Sequence, residues 1–159
     1  MKPNYIILRF FNVAGGNKKN KIKFSKDNFS VLKILTNKII KNEKFLIYGK
    51  NPKNNLTAIR DYIHALDISE IIKHSIYHLI NNKKNLILNC CTGKPTTIEE
   101  LINILSKICK KKIQFEIVNK RKNEDFIFYG NNTKLVKAFN YKPKYNLEKI
   151  VKDSYESII

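Results

Sequence analysis

The 159-residue sequence contains no uninterrupted apolar run of about 18 residues, the length a membrane-spanning helix needs. Its opening residues, MKPNYIILRFFN, lack the layout of a secretory signal peptide. The expectation is a cytoplasmic protein with no membrane partner. Cysteine is scarce: Cys90 and Cys91 are adjacent and Cys109 stands alone. There is no C-x-x-C pair and no even disulfide framework, so buried free thiols are expected, and no metal site. Arginine is scarcer than the formal charge of +18 suggests, being confined to Arg9, Arg60 and Arg121. The charge therefore comes from lysine scattered along a chain rich in Asn and Ile. No aromatic-interleaved basic motif accompanies it, so no nucleic-acid partner is expected. The Gly-x-Gly-x-x-Gly turn of a dinucleotide-binding strand and helix is absent too. No internal repeat or domain linker interrupts the chain.

What is present suits one soluble α/β domain with a real core, at 43% hydrophobic content. Tyr5 to Phe10 is a short apolar run followed by Asn12 and Gly15-Gly16, which predicts a buried strand ending in a loop, where ligands collect in open α/β sheets. Asn17 to Asp27 and Lys50 to Leu56 are polar and predict loops. Between them, Phe29 to Ile40 has helical apolar spacing, and Lys44 to Tyr48 predicts a strand closed by Gly49. Asp67 with Glu70 has the pattern of a helix start, with Ile68, Ile71, Ile72, Ile76 and Leu79 on the buried face. Leu86 to Asn89 predicts a second buried strand. Thr97 with Glu100 predicts a capped helix with Ile98, Leu101, Ile102, Leu105 and Ile108 inside. Ile113 to Ile117 alternates as a half-exposed strand does. After the polar stretch Asn119 to Asp125, helices are predicted over Thr133 to Phe139 and Leu147 to Ser157.

Periodicity goes no further than a mixed α/β domain, and three motifs carry the rest. Leu8-Arg-Phe-Phe-Asn-Val-Ala-Gly15, Thr57-Ala-Ile-Arg-Asp-Tyr-Ile-His64 with Ala-Leu-Asp67, and Leu88-Asn-Cys-Cys-Thr-Gly-Lys-Pro-Thr-Thr-Ile-Glu-Glu-Leu101 resemble segments of the UDP-glucose 4-epimerases. These are NAD-dependent epimerases of the extended short-chain dehydrogenase group. Lys120-Arg-Lys-Asn-Glu-Asp125 is similar to the family's Arg-Arg-x-Gly-Asp motif, with Glu124 in place of its glycine. The tail from Thr133 through Tyr141-Lys-Pro-Lys-Tyr145 resembles the family's last segment, and the likeness spans nearly the whole of residues 1–159.

The resemblance implies the C-terminal part of such an epimerase: a remnant of a Rossmann-type sheet plus the small α/β substrate-binding domain. The implied activity is NAD-dependent interconversion of UDP-glucose and UDP-galactose at sugar C4. It also implies that Asn12 meets the diphosphate region, that Arg60 grips the diphosphate, and that Phe11 lies by the nicotinamide. A planar guanidinium suits that role because it donates paired, charge-assisted hydrogen bonds. Asp125 takes the ribose, either Lys122 or Arg121 takes the diphosphate, and Asn28 and Tyr48 border the uracil. Asp61 and His64 are structural in the family, and Cys91 stands where a glycine is usual. The resemblance further implies that the catalytic Tyr-x-x-x-Lys and the NAD-binding Rossmann part lie outside this chain. It would then hold no catalytic residue, be inactive alone, expose an apolar sheet edge, and work with a separate N-terminal half or as a homodimer. Two alternatives stay open: a non-catalytic UDP-sugar-binding remnant, and another NDP-sugar epimerase or dehydratase.

Overall fold

A computed structural model describes residues 3–16, 30–49, 57–82, 84–118 and 125–159. In chain order the elements are β1 (Ile6–Phe10), β2 (Asn12–Ala14), α1 (Val31–Ile40), β3 (Phe45–Tyr48), β4 (Ile59–Arg60), β5 (Tyr62–His64) and α2 (Ala65–Asn82). There follow β6 (Leu86–Cys90), β7 (Thr96–Thr97), α3 (Ile98–Cys109), β8 (Phe115–Val118), β9 (Ile127–Phe128), α4 (Thr133–Phe139) and α5 (Leu147–Glu156). The architecture is α/β, with short, mostly parallel sheets: β1 beside β6, β2 beside β5, β3 beside β8, and β4 between antiparallel β7 and parallel β9. The loops expected at 17–27 and 50–56 fall wholly or mainly outside the described residues, as does 119–124.

Two cores share β5 as their wall. Successive strand side chains point to opposite faces, so Tyr62 joins one core while Ile63 joins the other. The first core packs α1, α3 and α5 around Leu32, Leu35, Leu101, Leu105 and Ile150, with Phe45 and Ile47 of β3. The second packs Ile68 and Ile71 of α2 and Leu135 of α4 against Leu88 and Cys90 of β6. α3 starts as expected: the Thr97 hydroxyl accepts from the Glu100 N–H at 3.2 Å, and the Glu100 carboxylate accepts from the Thr97 N–H at 2.7 Å.

Four local expectations are corrected. α2 begins at Ala65, and its first turn is capped by His64, whose Nδ1 accepts the Leu66 N–H at 3.0 Å. Asp67 instead turns into the fold, accepting from the Tyr141 hydroxyl at 2.5 Å and the Lys144 N–H at 2.9 Å. Burial, with the Asp67 carboxylate beside it, pushes the Tyr141 phenol up. Of the apolar residues of α2 only Ile68 and Ile71 are buried, whereas Ile72, Ile76 and Ile80 form an exposed stripe four residues apart. Ile113 is buried, but Phe115 and Ile117 of β8 are exposed although their partners Phe45 and Ile47 on β3 are buried, so the core packs against β3 and not against β8. Lastly, β1 and β6 are not buried on both sides. Leu88 and Cys90 face the core, while Ile7 and Ile87 remain 46% and 38% exposed on the other face. The free edge of β1 carries no strand among the described residues.

Candidate functional site

Phe11 and Asn12 sit where β1 gives way to β2, and Arg60 ends β4 one residue before Asp61. The two segments are stitched together: the Asn12 N–H donates to the Asp61 carbonyl at 3.0 Å and the Phe11 N–H to the Cys90 carbonyl at 3.3 Å. Asp61 is fully buried. Its carboxylate accepts from the Thr92 N–H at 2.8 Å, the Thr92 hydroxyl at 2.7 Å and the Gly93 N–H at 2.8 Å. The turn after β6 is thereby pinned to the end of β4, which fixes where Arg60 and Asn12 stand. Asp61→Asn puts amide hydrogens against N–H donors and is expected to destabilise the fold by about 1–3 kcal/mol. A urea melt checks this; an unchanged midpoint would assign the pinning elsewhere.

These residues open on a cavity of about 630 Å³ whose described lining includes Phe11, Asn12, Tyr48, Arg60 and Ser30. Val31, Leu32 and Ile34 of α1 and Leu46 of β3 add an apolar wall. Asn12 Nδ2 is buried with no hydrogen-bond partner among the described residues, an arrangement that costs free energy unless something accepts from it. The Arg60 Nη1 donates to the carbonyls of Ile59 at 2.9 Å and Phe126 at 3.2 Å, fixing the plane of the guanidinium. Burial pushes the Tyr62 phenol up, opposed by the Arg60 charge.

The structure therefore brings Phe11, Asn12, Tyr48 and Arg60 to one cavity. Asp125 is exposed, just ahead of the Phe126 carbonyl that Arg60 holds, and does not line the described cavity. Asn28, Arg121 and Lys122 lie outside the described residues. Sequence reasoning missed Phe128, whose ring stacks on Phe11 with centroids 5.0 Å apart. It also missed Gly130, where a Cβ would meet both the Cys91 Sγ and the Phe11 ring at 2.6 Å. The pairing of Cys91 with a residue lacking a side chain was the available signal. Burial pushes the Cys91 thiol up to about 11 and the Cys90 thiol to about 12, so both stay protonated.

The Tyr-x-x-x-Lys spacing, expected to be missing, does occur once, at Tyr145 and Lys149. Neither residue lines the cavity. The Tyr145 ring stacks on His64 at 4.2 Å, and the Lys149 ammonium lies 2.6 Å from Asp153. His64 is buried with Nε2 3.2 Å from Asp153. Because Nδ1 accepts from Leu66, the neutral ring carries its proton on Nε2 and donates to Asp153. Burial lowers the His64 pKa, outweighing the attraction of Asp153 and Asp67, and Lys149 lowers it further. Below the ordinary value of 6.5 the unfolded chain binds a proton that the folded one refuses. Stability is thus expected to fall as pH drops below 6.5 towards the lowered folded value, and to be insensitive to this group above it. Melting scans from alkaline to acid pH check this, and His64→Gln should flatten the slope.

A protein-family model, described as the NAD dependent epimerase/dehydratase family, matches residues 2–91, more than half of the chain. The chain belongs to that family. Within it, the chain is 25% identical over 153 residues to the UDP-glucose 4-epimerase of Rhizobium meliloti (strain 1021), covering 94% of this chain and 47% of that protein. It is 27% identical over 159 residues to UDP-glucose 4-epimerase GEPI42 of Cyamopsis tetragonoloba, covering 95% and 44%. The chain spans about half the length of these curated relatives. Among solved structures it resembles a UDP-glucose 4-epimerase from Stenotrophomonas maltophila with bound NAD and formylated UDP-arabinopyranose. That match has a TM-score of 0.89 at 19% identity and covers 97% of this chain and 47% of the other. The Bifidobacterium longum enzyme, in complex with NAD+ and UDP, matches with a TM-score of 0.86 at 20% identity, covering 97% and 47%. The fold is that of the C-terminal half of these epimerases.

Proposed function

We propose that this chain supplies the UDP-sugar site of a UDP-glucose 4-epimerase, acting on UDP-glucose and UDP-galactose. The observation that carries this reading is the unpaired, buried Nδ2 of Asn12 in the same cavity as the oriented guanidinium of Arg60. A diphosphate offers an acceptor to the Asn12 amide and paired oxygens to the oriented guanidinium, and the Tyr48 and α1 wall offers apolar surface to a uracil ring. Asp125 then takes the ribose from the rim, with Asn28 and Lys122 or Arg121 completing the site from the segments beyond the described residues.

NAD supplies the hydride chemistry of this family, and the residues present do not fit it on their own. No glycine-rich turn is available to its pyrophosphate, and one face of Phe11 is taken by Phe128. The NAD-holding and proton-transferring parts are therefore proposed to come from polypeptide beyond these 159 residues. In support, the relatives are twice as long, and β1 offers an open edge beside the uncovered Ile7 and Ile87.

Co-expression with an adjoining polypeptide bearing a glycine-rich turn and Tyr-x-x-x-Lys, followed by a coupled UDP-galactose to UDP-glucose assay, tests the reading. Turnover of the pair and none by either part is the expected result. Calorimetric heat with UDP-glucose but no turnover would turn the reading into a non-catalytic UDP-sugar binder. The absence of both would sink it.

A further inference from the structure

A second cavity, of about 320 Å³, shares Tyr62 with the first in its lining. The turn after β6, the start of α4 and the approach to α5 enclose it. Its volume is at the lower end for small-molecule sites, roughly 300–1,000 Å³, and too small for a macromolecular partner. We propose that it binds a small phosphate-bearing anion.

Three features single it out in a chain where lysine is common. Lys94 and Lys142 both line it, neither ammonium has a partner among the described residues, and no Asp or Glu is in the described lining. Thr96 also lines it and is only 4% exposed, yet its hydroxyl has no hydrogen-bond partner among the described residues. A hydroxyl in a cavity that two lysines also line can donate to a bound oxyanion. The N-terminus of the ten-residue α5 opens on the same space through Asn146, Leu147 and Ile150. There the Asn146 side chain accepts from the Lys149 N–H at 2.9 Å, leaving the Leu147 and Glu148 amides, which no helix carbonyl can reach. Two buried carboxylates accept from residues of this lining, Asp61 from Thr92 and Asp67 from Tyr145, and both are engaged by backbone and hydroxyl donors rather than by the Lys94 or Lys142 ammonium. The donors come from β7, the turn before it, the segment between α4 and α5, and the start of α5, where Leu147 and Ile150 pack in the first core.

Amine acylation of the full chain, read residue by residue by mass spectrometry, tests this in inorganic phosphate and in pyrophosphate against sodium chloride of equal ionic strength. Lys94 and Lys142 should be protected several-fold and saturably, while Lys107 and Lys152, likewise exposed but outside the described lining, should not change. Thr96→Val keeps the shape and removes the hydroxyl, and should raise the half-protecting phosphate concentration roughly tenfold. Uniform protection of all four lysines would reduce the effect to charge screening and overturn the proposal. So would no protection at all, or a Thr96→Val chain that behaves as the parent does.

Discussion

Replacing Arg60 with alanine is expected to weaken UDP binding roughly 100-fold, measured by calorimetry on the chain in its working assembly. The size follows from what the guanidinium would do. Charge-assisted hydrogen bonds contribute about twice what neutral ones do, and this fork is already oriented by the carbonyls of Ile59 and Phe126. Arg60→Lys separates charge from geometry. It keeps the cation but not the fork, and should recover only part of the lost affinity, because a flexible ammonium cannot hold the Phe126 carbonyl and two phosphate oxygens together. Full recovery with lysine would leave only a charge requirement. An alanine variant that binds UDP normally would remove Arg60 from the site and with it the proposed function.

The largest effect on stability is expected at Gly15. Its φ is +80°, and a Cβ there would stand 2.3 Å from His64 Cδ2 and 2.4 Å from Nε2. The ring cannot give way. The Leu66 N–H holds one nitrogen, Asp153 holds the other, and Tyr145 is stacked against its face. The Gly15 N–H itself donates to the buried Ser154 hydroxyl at 2.7 Å, tying the loop after β2 to α5. Gly15→Ala therefore combines overpacking with a left-handed conformation that an L side chain resists, about 3–5 kcal/mol together. For a chain of this size that lowers Tm by roughly 10 °C. Adding His64→Ala should relieve the steric part and leave the conformational part. A Gly15→Ala chain melting within about 2 °C of the parent would show that the loop has another resting conformation.

Much of the fold was legible because local chemistry dictates it. α3 declares itself through Thr97, Glu100 and five apolar residues at helical spacing; the capping box forms, four of the five are buried, and Ile108 is half-buried at the edge of the core. The same logic failed for α2. Asp67 and Glu70 have the pattern of a cap, but a carboxylate pulled inward by the Tyr141 hydroxyl and the Lys144 and Tyr145 amides is worth more to the fold there than at a helix end. β1 and β6 look doubly buried, since Ile7 and Ile87 are as apolar as Leu8 and Leu88. Apolar character does not say whether a covering layer is present among these residues.

The sequence by itself determined the α/β class, the family motifs and the identities of Asn12, Arg60 and Asp61, because each depends on residue types at fixed short spacings. Only the tertiary structure decided that Asp61 pins the turn at Thr92 and Gly93, that the Asn12 side-chain Nδ2 finds no partner among the described residues, and that Phe128 lies on Phe11. It also decided that in the one Tyr-x-x-x-Lys spacing the tyrosine stacks on His64 and the lysine pairs with Asp153, away from the first cavity. Those facts turn on contacts between residues far apart in the chain, where distance in sequence carries no information about distance in space.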